Sequence, residues 1–307
     1  DMSDVVSKET YSFTDRGERE VTLRPEMTPT FARMIAGKFR DIPMPARWYS
    51  IANFFRYERQ QRGRFREFWQ LNADIVGPDS IESDAEIITI AYATLRSLGA
   101  EDNDFEIRVS DRRILEAIFD EAQVSADLRG PVTRLLDRRA KMDDFDAQLA
   151  SLVGADAAAI LTDRIARTTS SAYLEELRQI LETMGVKNMV VDTTITRGFD
   201  YYTGMVFEVF DTNSENRRSL AGGGRYDKLL SLFGGDPIPT VGFAMGDATV
   251  REFLELHNLL PAYAPATEVM IAIVEPEATS HAIRLAQDLR REDVTVAVNF
   301  SGKRVGD

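Results

Sequence analysis

The chain has no cysteine, and that absence removes disulfide frameworks, cysteine-ligated zinc and thiol nucleophiles together. Histidine is nearly missing too. His257 and His281 are the only two, both in polar, helix-like surroundings near the C-terminus, and both are read as surface residues. A serine–histidine–aspartate triad or a histidine-rich metal centre has little to be built from. No apolar run is long enough to cross a membrane, and the first residues lack the basic-then-apolar pattern of an export signal, so the cytosol is the expected location. Positive charge is in deficit: 37 Lys and Arg against 50 Asp and Glu leave a net charge of −13, which argues against a protein that coats nucleic acid without specificity. Chemistry must therefore run on arginine, carboxylates, tyrosine, backbone groups or a bound metal ion. A length of 307 residues, 44% of them hydrophobic, predicts about two soluble domains.

What is present is concentrated. Residues 54–77 carry five arginines, Arg56, Arg59, Arg62, Arg64 and Arg66, between an apolar entry at 49–55 and an alternating stretch at 68–76. This predicts a β-hairpin with Gly63 in its loop and guanidinium groups at its tip. Guanidinium forks match phosphate oxygens, and Phe65 and Phe68 can stack on a base. Charge alone would make the hairpin a solvated basic loop.

The rest of the chain reads as α+β. A short hairpin spans 11–23 around Asp15-Arg16-Gly17, and helices follow at 30–38 and 83–98. A strand at 105–109 leads to Asp111, placed to cap a helix running through 119. From 115 to 185 helical periodicity continues with short breaks, the pattern of a helical sub-domain inserted between β-rich segments; its Arg138-Arg139-Ala140-Lys141 cluster reads as a solvated helix face. β character returns at 189–192, 205–210 and 240–244, with a helix at 249–258. Residues 260–265, bounded by Pro261 and Pro265, form a linker. Beyond it a β-α-β pattern at 269–274, 278–292 and 294–300 opens a separate α/β domain, expected to be incomplete at Asp307.

Four stretches are unusual for a plain core. Arg24-Pro25-Glu26-Met27-Thr28 sets a carboxylate and a hydroxyl two residues apart. The far strand of the hairpin carries Gln70 and Asp74, at even spacing and so on one face. Residues 196–204 place Arg197, Asp200, Tyr201 and Tyr202 between glycines, and Ala221-Gly222-Gly223-Gly224-Arg225-Tyr226-Asp227 is a glycine run that lets a backbone approach a ligand closely. Carboxylates and amides hold an ammonium or an imidazole, while guanidiniums hold carboxylate and phosphate oxygens. The combined inventory suits a zwitterionic substrate beside a polyphosphate.

Three of these stretches together carry a resemblance. Residues 22–28, Phe55-Arg-Tyr-Glu-Arg-Gln-Gln-Arg-Gly-Arg-Phe-Arg-Glu-Phe68 and Arg197-Gly-Phe-Asp-Tyr-Tyr-Thr-Gly204 resemble histidyl-tRNA synthetases, class II aminoacyl-tRNA synthetases, over nearly the whole chain. The resemblance implies an antiparallel sheet flanked by helices, divided as catalytic core (1–112, without the family's first motif), helical insertion (113–187), core again (188–260) and the truncated start of an anticodon-binding α/β domain (266–307). It implies activation of L-histidine by ATP, with Mg2+ accompanying the nucleotide, then transfer to tRNA(His), by a homodimer without a membrane anchor. Carried over by position, Arg56 would hold the α-phosphate and the histidine carboxylate, Glu58 the adenine edge, Phe68 its ring and Arg64 the γ-phosphate. Arg197 would stand at the α-phosphate, where related enzymes use a magnesium ion. Glu26, Thr28 and Gln70 would hold the α-ammonium. Asp74 and Tyr202 would grip the imidazole, with Tyr201 and Tyr226 lining its pocket, and Arg59 and Arg62 would meet the tRNA. No side-chain metal ligands are implied.

One departure stands out. After Gly242-Phe-Ala-Met-Gly246 the family pattern calls for an arginine three residues on, to hold the ATP tail; here that position is Thr249, and Arg251 follows two residues later. The departure leaves a rival, the non-catalytic, histidine-sensing regulatory subunit of ATP phosphoribosyltransferase. Against that rival stand Arg56, Glu58, Arg64, Arg197 and the partial anticodon-type domain.

Overall fold

The computed structural model describes residues 9–59, 61–139, 142–193, 195, 201–234, 236–262 and 265–301. The chain forms two compact units that divide between Leu259 and Leu260. In the first, β1 (Ser12–Thr14) and β2 (Glu20–Thr22) pair as the small antiparallel hairpin that the Asp-Arg-Gly turn predicts. Next comes α1 (Thr28–Lys38), which buries Phe31, Ala32 and Ile35. The arginine-rich hairpin follows as β3 (Ala46–Phe55) and β4 (Glu67–Val76), paired from Ala46 opposite Val76 to Phe55 opposite Glu67.

α2 (Ile81–Ser97) starts at Ser80, whose hydroxyl accepts from the Ser83 amide at 3.4 Å, and carries Glu82 and Asp84 in its first turn, where the helix dipole favours acid. Its Ile87, Ile88, Ala91 and Leu95 recur at helical spacing and are fully buried. Each such isoleucine or leucine contributes about 1.5–3 kcal/mol. After β5 (Phe105–Asp111), the Asp111 carboxylate caps α3 (Arg112–Glu121) by accepting from the Arg113 amide at 3.0 Å, as its position predicts.

The helical stretch then divides. α4 (Ala126–Arg138), α5 (Phe145–Val153) and α6 (Ala155–Arg167) share a core of their own with α3, built on Phe119, Val132, Leu149 and Leu161. By contrast, α7 (Ala172–Thr183) inserts Leu174, Leu177 and Leu181 into the core of the main sheet.

β6 (Met189–Val191), β7 (Met205–Asp211), β8 (Ser219–Arg225) and β9 (Thr240–Gly246) complete a seven-stranded sheet of order β3-β4-β9-β8-β7-β5-β6. Every pairing is antiparallel except β5 with β6. The expected antiparallel sheet flanked by helices is therefore the architecture. α8 (Asp247–Leu256) runs on directly from β9.

Two readings from the sequence change here. The glycine run at 221–227, singled out for close approach of a backbone to a ligand, is for the most part β8, a central strand, although glycine is depleted in strands. The strand tolerates nothing larger at Gly223, where a Cβ would stand 2.2 Å from the Gly242 carbonyl of β9. Nor is His257 a surface residue. Its ring stacks on Phe253 at 4.6 Å, with Nε2 2.8 Å from Asp211 Oδ1 and Nδ1 3.2 Å from Asp104 Oδ1, tying the end of α8 to β7 and to the turn before β5. His281 is exposed.

The second unit, taken by itself, holds β10 (Val269–Ala272), α9 (Thr279–Arg291) and β11 (Val296–Asn299), the two strands pairing in parallel across the helix and Ala282 and Ala286 buried. This is the predicted β-α-β order.

Candidate active site

β4 is the wall on which the site is built. Gln70 and Asp74 face one cleft, as their even spacing predicts, and Asn72 between them faces it too. Sequence reasoning passed over Asn72, although period-two alternation was the signal that would have found it. Opposite β4, the turn into α1 brings Glu26 and Thr28; they share the cleft, but Thr28 is already the first residue of a helix and not part of an extended strand. Tyr201, Tyr202, Tyr226, Gly242 and Arg56 complete the lining of the cleft. Gly242 is there by steric necessity: a Cβ at that position would stand 1.9 Å from Asp74 Oδ1.

Two carboxylates in this cleft are buried, Glu26 at 6% and Asp74 at 8% exposure. Burial raises Glu26 to about 7, against the opposing pull of the Arg56 charge and a hydrogen bond from the Tyr201 hydroxyl at 3.2 Å. Burial likewise raises Asp74 to about 7, although the Tyr226 hydroxyl donates to its Oδ1. The three tyrosine rings pack against one another with centroids 5.0, 5.7 and 6.4 Å apart. Burial pushes their hydroxyls upward, so all three stay neutral. Gln70 Oε1 is buried without a hydrogen-bond partner among the described residues. An orphan acceptor and two carboxylates that burial disfavours make a cavity that gains most from a ligand rich in N–H groups.

Arg56 leads out of this acidic pocket. Its Nε donates to the Pro25 carbonyl at 3.0 Å, and its guanidinium stands 5.2 Å from the centroid of Phe68. Phe68 is half-buried and packs on Phe54 at 6.1 Å. Glu58 lies close by, with Oε1 3.9 Å from Arg56 Nη1 and Oε2 2.6 Å from Arg64 Nη1. Arg66 donates to the Glu58 carbonyl at 3.2 Å and covers the Tyr57 ring. At the tip, Arg62 pairs with Glu252 of α8 at 2.6 Å while Arg59 is exposed. Glu26, Thr28, Arg56, Gln70, Asp74, Tyr201, Tyr202 and Tyr226 thus share one cleft; Glu58, Arg64 and Phe68 group around Arg56, and Arg59 and Arg62 stand away from the pocket. Arg197 falls outside the described residues.

Arg225, which stood out in the glycine run, belongs to the framework. It is 6% exposed and donates to Asp84 Oδ1 at 2.6 Å and to the Ser83 hydroxyl at 2.9 Å, locking β8 to the first turn of α2. Arg112 was not singled out from the sequence; it donates to the Tyr202 carbonyl at 3.2 Å and lies over that ring at 5.9 Å. Thr249, on the first turns of α8, hydrogen-bonds to the Gly246 carbonyl at 3.3 Å, and Arg251 is exposed.

Residues 2–250 match the family model described as histidyl-tRNA synthetase. The histidine–tRNA ligase of Leptospira biflexa is 38% identical, with 99% of this chain aligned to 74% of that protein. That of Haloarcula marismortui is also 38% identical, over 98% of this chain and 74% of the relative. Among solved structures, the histidyl-tRNA synthetase of Nostoc sp. PCC 7120 superposes with a TM-score of 0.76 at 23% identity, over 97% of this chain and 74% of that one, a likeness of fold. With the family model covering residues 2–250 and relatives 38% identical over nearly the whole chain, the chain belongs to the histidyl-tRNA synthetase family.

Proposed function

We propose that this protein is a histidine–tRNA ligase, which condenses L-histidine with ATP to histidyl-adenylate and pyrophosphate and then passes the histidyl group to the 3′ end of tRNA(His). The observation that supports it most is the change of charge from the buried Glu26 and Asp74 to Arg56, which share one cleft, and on through Glu58 to Arg64 beside it. A zwitterion followed by a polyphosphate matches that order.

In this reading Glu26, Thr28 and the orphan Gln70 oxygen hold the α-ammonium. Asp74, oriented by the Tyr226 hydroxyl, and Tyr202 take the two imidazole nitrogens, with Tyr201 completing the wall. Glu58 and Phe68 receive adenine and Arg64 the γ-phosphate. The histidine carboxylate attacks the α-phosphorus, the bond to the bridging oxygen breaks, and pyrophosphate leaves with that electron pair. The attacking carboxylate is already ionised, so no protein base is needed. Arg56, together with Arg197, supplies fixed positive charge to the α-phosphate, an effect worth roughly 10²–10³ or more in rate. Leucine or phenylalanine would leave the polar partners of the imidazole unpaired, which in favourable cases gives about 10⁴–10⁵ in discrimination.

Mg2+ enters on the phosphates of ATP as part of that substrate; among the described residues there is no group of three or more side chains able to hold a metal ion. Arg59, exposed at the hairpin tip, and Arg62 are our candidates for the tRNA acceptor end. We extend the reading to a cytosolic homodimer, with 113–187 as the insertion and 266–307 as part of an anticodon-binding domain. No helix among the described residues is long and apolar enough to cross a membrane.

The test is histidine-dependent ATP–pyrophosphate exchange. Wild-type protein should exchange, and Arg197→Ala should lose most exchange while still binding histidine. Histidine binding without any exchange in the wild type would overturn the ligase reading in favour of a histidine-sensing regulatory subunit.

A further inference from the structure

Thr249 leaves the family's nucleotide site short of one guanidinium, and the surface around it contains a candidate that the motif pattern does not supply. Gly63, at φ +70, forms the tip of a tight turn in which the Arg64 amide donates to the Gln61 carbonyl at 2.9 Å. A Cβ on Gly63 would stand 3.0 Å from Arg218 Cδ and 3.0 Å from Glu252 Oε2, so the Arg218 stem and the Glu252 carboxylate flank this tip. Glu252 follows Thr249 by three residues on α8 and therefore lies on the same face, one turn further along. Arg218 thus crosses above the face of α8 on which an arginine at 249 would stand.

Its charge state points to a missing partner. Arg218 is partly buried, and among the described residues its guanidinium makes neither an ion pair nor a hydrogen bond. Burial and the neighbouring charge of Arg64 both lower its pKa, outweighing Glu252 and Glu58. The two carboxylates are already engaged, Glu252 by Arg62 at 2.6 Å and Glu58 by Arg64 at 2.6 Å. Two guanidiniums held within range of mutual repulsion, one of them unpaired, make a site that a multiply charged anion relieves.

We propose that Arg218, reaching from the segment before β8, holds the terminal phosphates of ATP together with Arg64 and so replaces the arginine absent at Thr249. This rests on the ligase reading above, whose failure shows separately, as a lack of exchange in the wild type. Arg218→Ala and the milder Arg218→Gln are compared with wild type by ATP–pyrophosphate exchange, with histidine binding as the check on folding. The loss of a charge-assisted contact predicts a rise of about 10–100-fold in KM for ATP, with KM for histidine changed less than about twofold. Arg218→Lys, which keeps the charge but not the fork, should fall between. Adding Thr249→Arg to Arg218→Ala should recover most of the ATP affinity, a rescue that a merely structural role would not give. An unchanged KM for ATP, or equal losses for ATP and histidine, overturns the proposal. If the wild type does not exchange at all, calorimetry with inorganic tripolyphosphate decides: binding lost in Arg218→Ala supports the site, and no binding by the wild type overturns it.

Discussion

Glu26→Gln should stabilise the unliganded protein at alkaline pH while destroying its affinity for histidine. Glu26 keeps its proton in the fold up to about 7, whereas in the unfolded chain it ionises near its ordinary value of 4.5. Between those values the folded state binds more protons, so stability is full below the lower one and is lost as pH rises through the upper one. At 1.36 kcal/mol per pKa unit, the accumulated cost is about 1 kcal/mol at roughly pH 5.5 and about 3 kcal/mol at roughly pH 8. Glutamine has no proton to lose and keeps an oxygen for the Tyr201 hydroxyl. Relative to wild type, the variant should therefore gain about 2 kcal/mol between roughly pH 5.5 and pH 8, or roughly 4–8 °C in Tm for a domain of this size. Thermal unfolding without ligand at both pH values measures the gain, and calorimetry measures histidine binding, expected to weaken by about 10²-fold because a charge-assisted contact to the ammonium is lost. A Tm difference that is the same at both pH values would refute the reasoning, since Glu26 would then not carry its proton in the empty cleft.

Two further substitutions probe the frame around the site. Gly242→Ala puts a methyl group 1.9 Å from Asp74 Oδ1 and 2.9 Å from the Ala73 carbonyl, so Asp74 must move. We expect a fall in histidine affinity of about 10²-fold with ATP affinity retained, together with about 1–3 kcal/mol of overpacking cost; calorimetry with histidine at wild-type strength would sink this account. Arg225→Met leaves the buried Asp84 with Tyr173 but without its cation. That should cost about 3–5 kcal/mol in denaturant unfolding, and adding Asp84→Asn should recover part of it. A loss below about 1 kcal/mol would mean that the pair is not the clamp described here.

Most of the frame was legible because its elements obey simple periods. The β3–β4 hairpin, the Asp111 cap and the apolar row of α2 each follow from local spacing. β8 was not legible: Gly223 is glycine because the Gly242 carbonyl of β9 approaches it, and Gly224 because the Met205 carbonyl of β7 does, contacts across the sheet that leave no local pattern. The same blindness explains His257, whose two carboxylate partners come from Asp104 and Asp211, far off in sequence. In the site, Gln70 and Asp74 were found because a strand presents alternate residues to one face. Arg225 was singled out for the same unusual composition, and only the buried Asp84 reveals that it is committed to the framework. Motif composition nominates polar residues; pairing decides which remain open to a ligand.

That distinction also explains why the cleft is unfavourable when empty. Glu26 and Asp74 are carboxylates that burial makes hard to ionise, Gln70 Oε1 lacks a partner among the described residues, and the charge of Arg64 opposes that of the partly buried Arg218. Each of these weakens the unliganded fold, and on the roles proposed above each would be relieved by a different part of the two small substrates: the ammonium, the imidazole and the polyphosphate. The defects are of opposite sign, so no single small ion relieves both. Histidine should therefore raise Tm on its own, ATP with Mg2+ should do so separately, and the two together should give more than either. By linkage the stabilisation grows as RT ln(1 + [L]/Kd), so at about 100 times Kd each ligand contributes roughly 2.7 kcal/mol. Saturating histidine should abolish the pH-dependent part of the Glu26 cost, because the bound ammonium restores the ionised carboxylate. In Glu26→Gln, histidine at about 100 times the wild-type Kd should contribute only about 0.4 kcal/mol, while ATP still raises Tm as in the wild type.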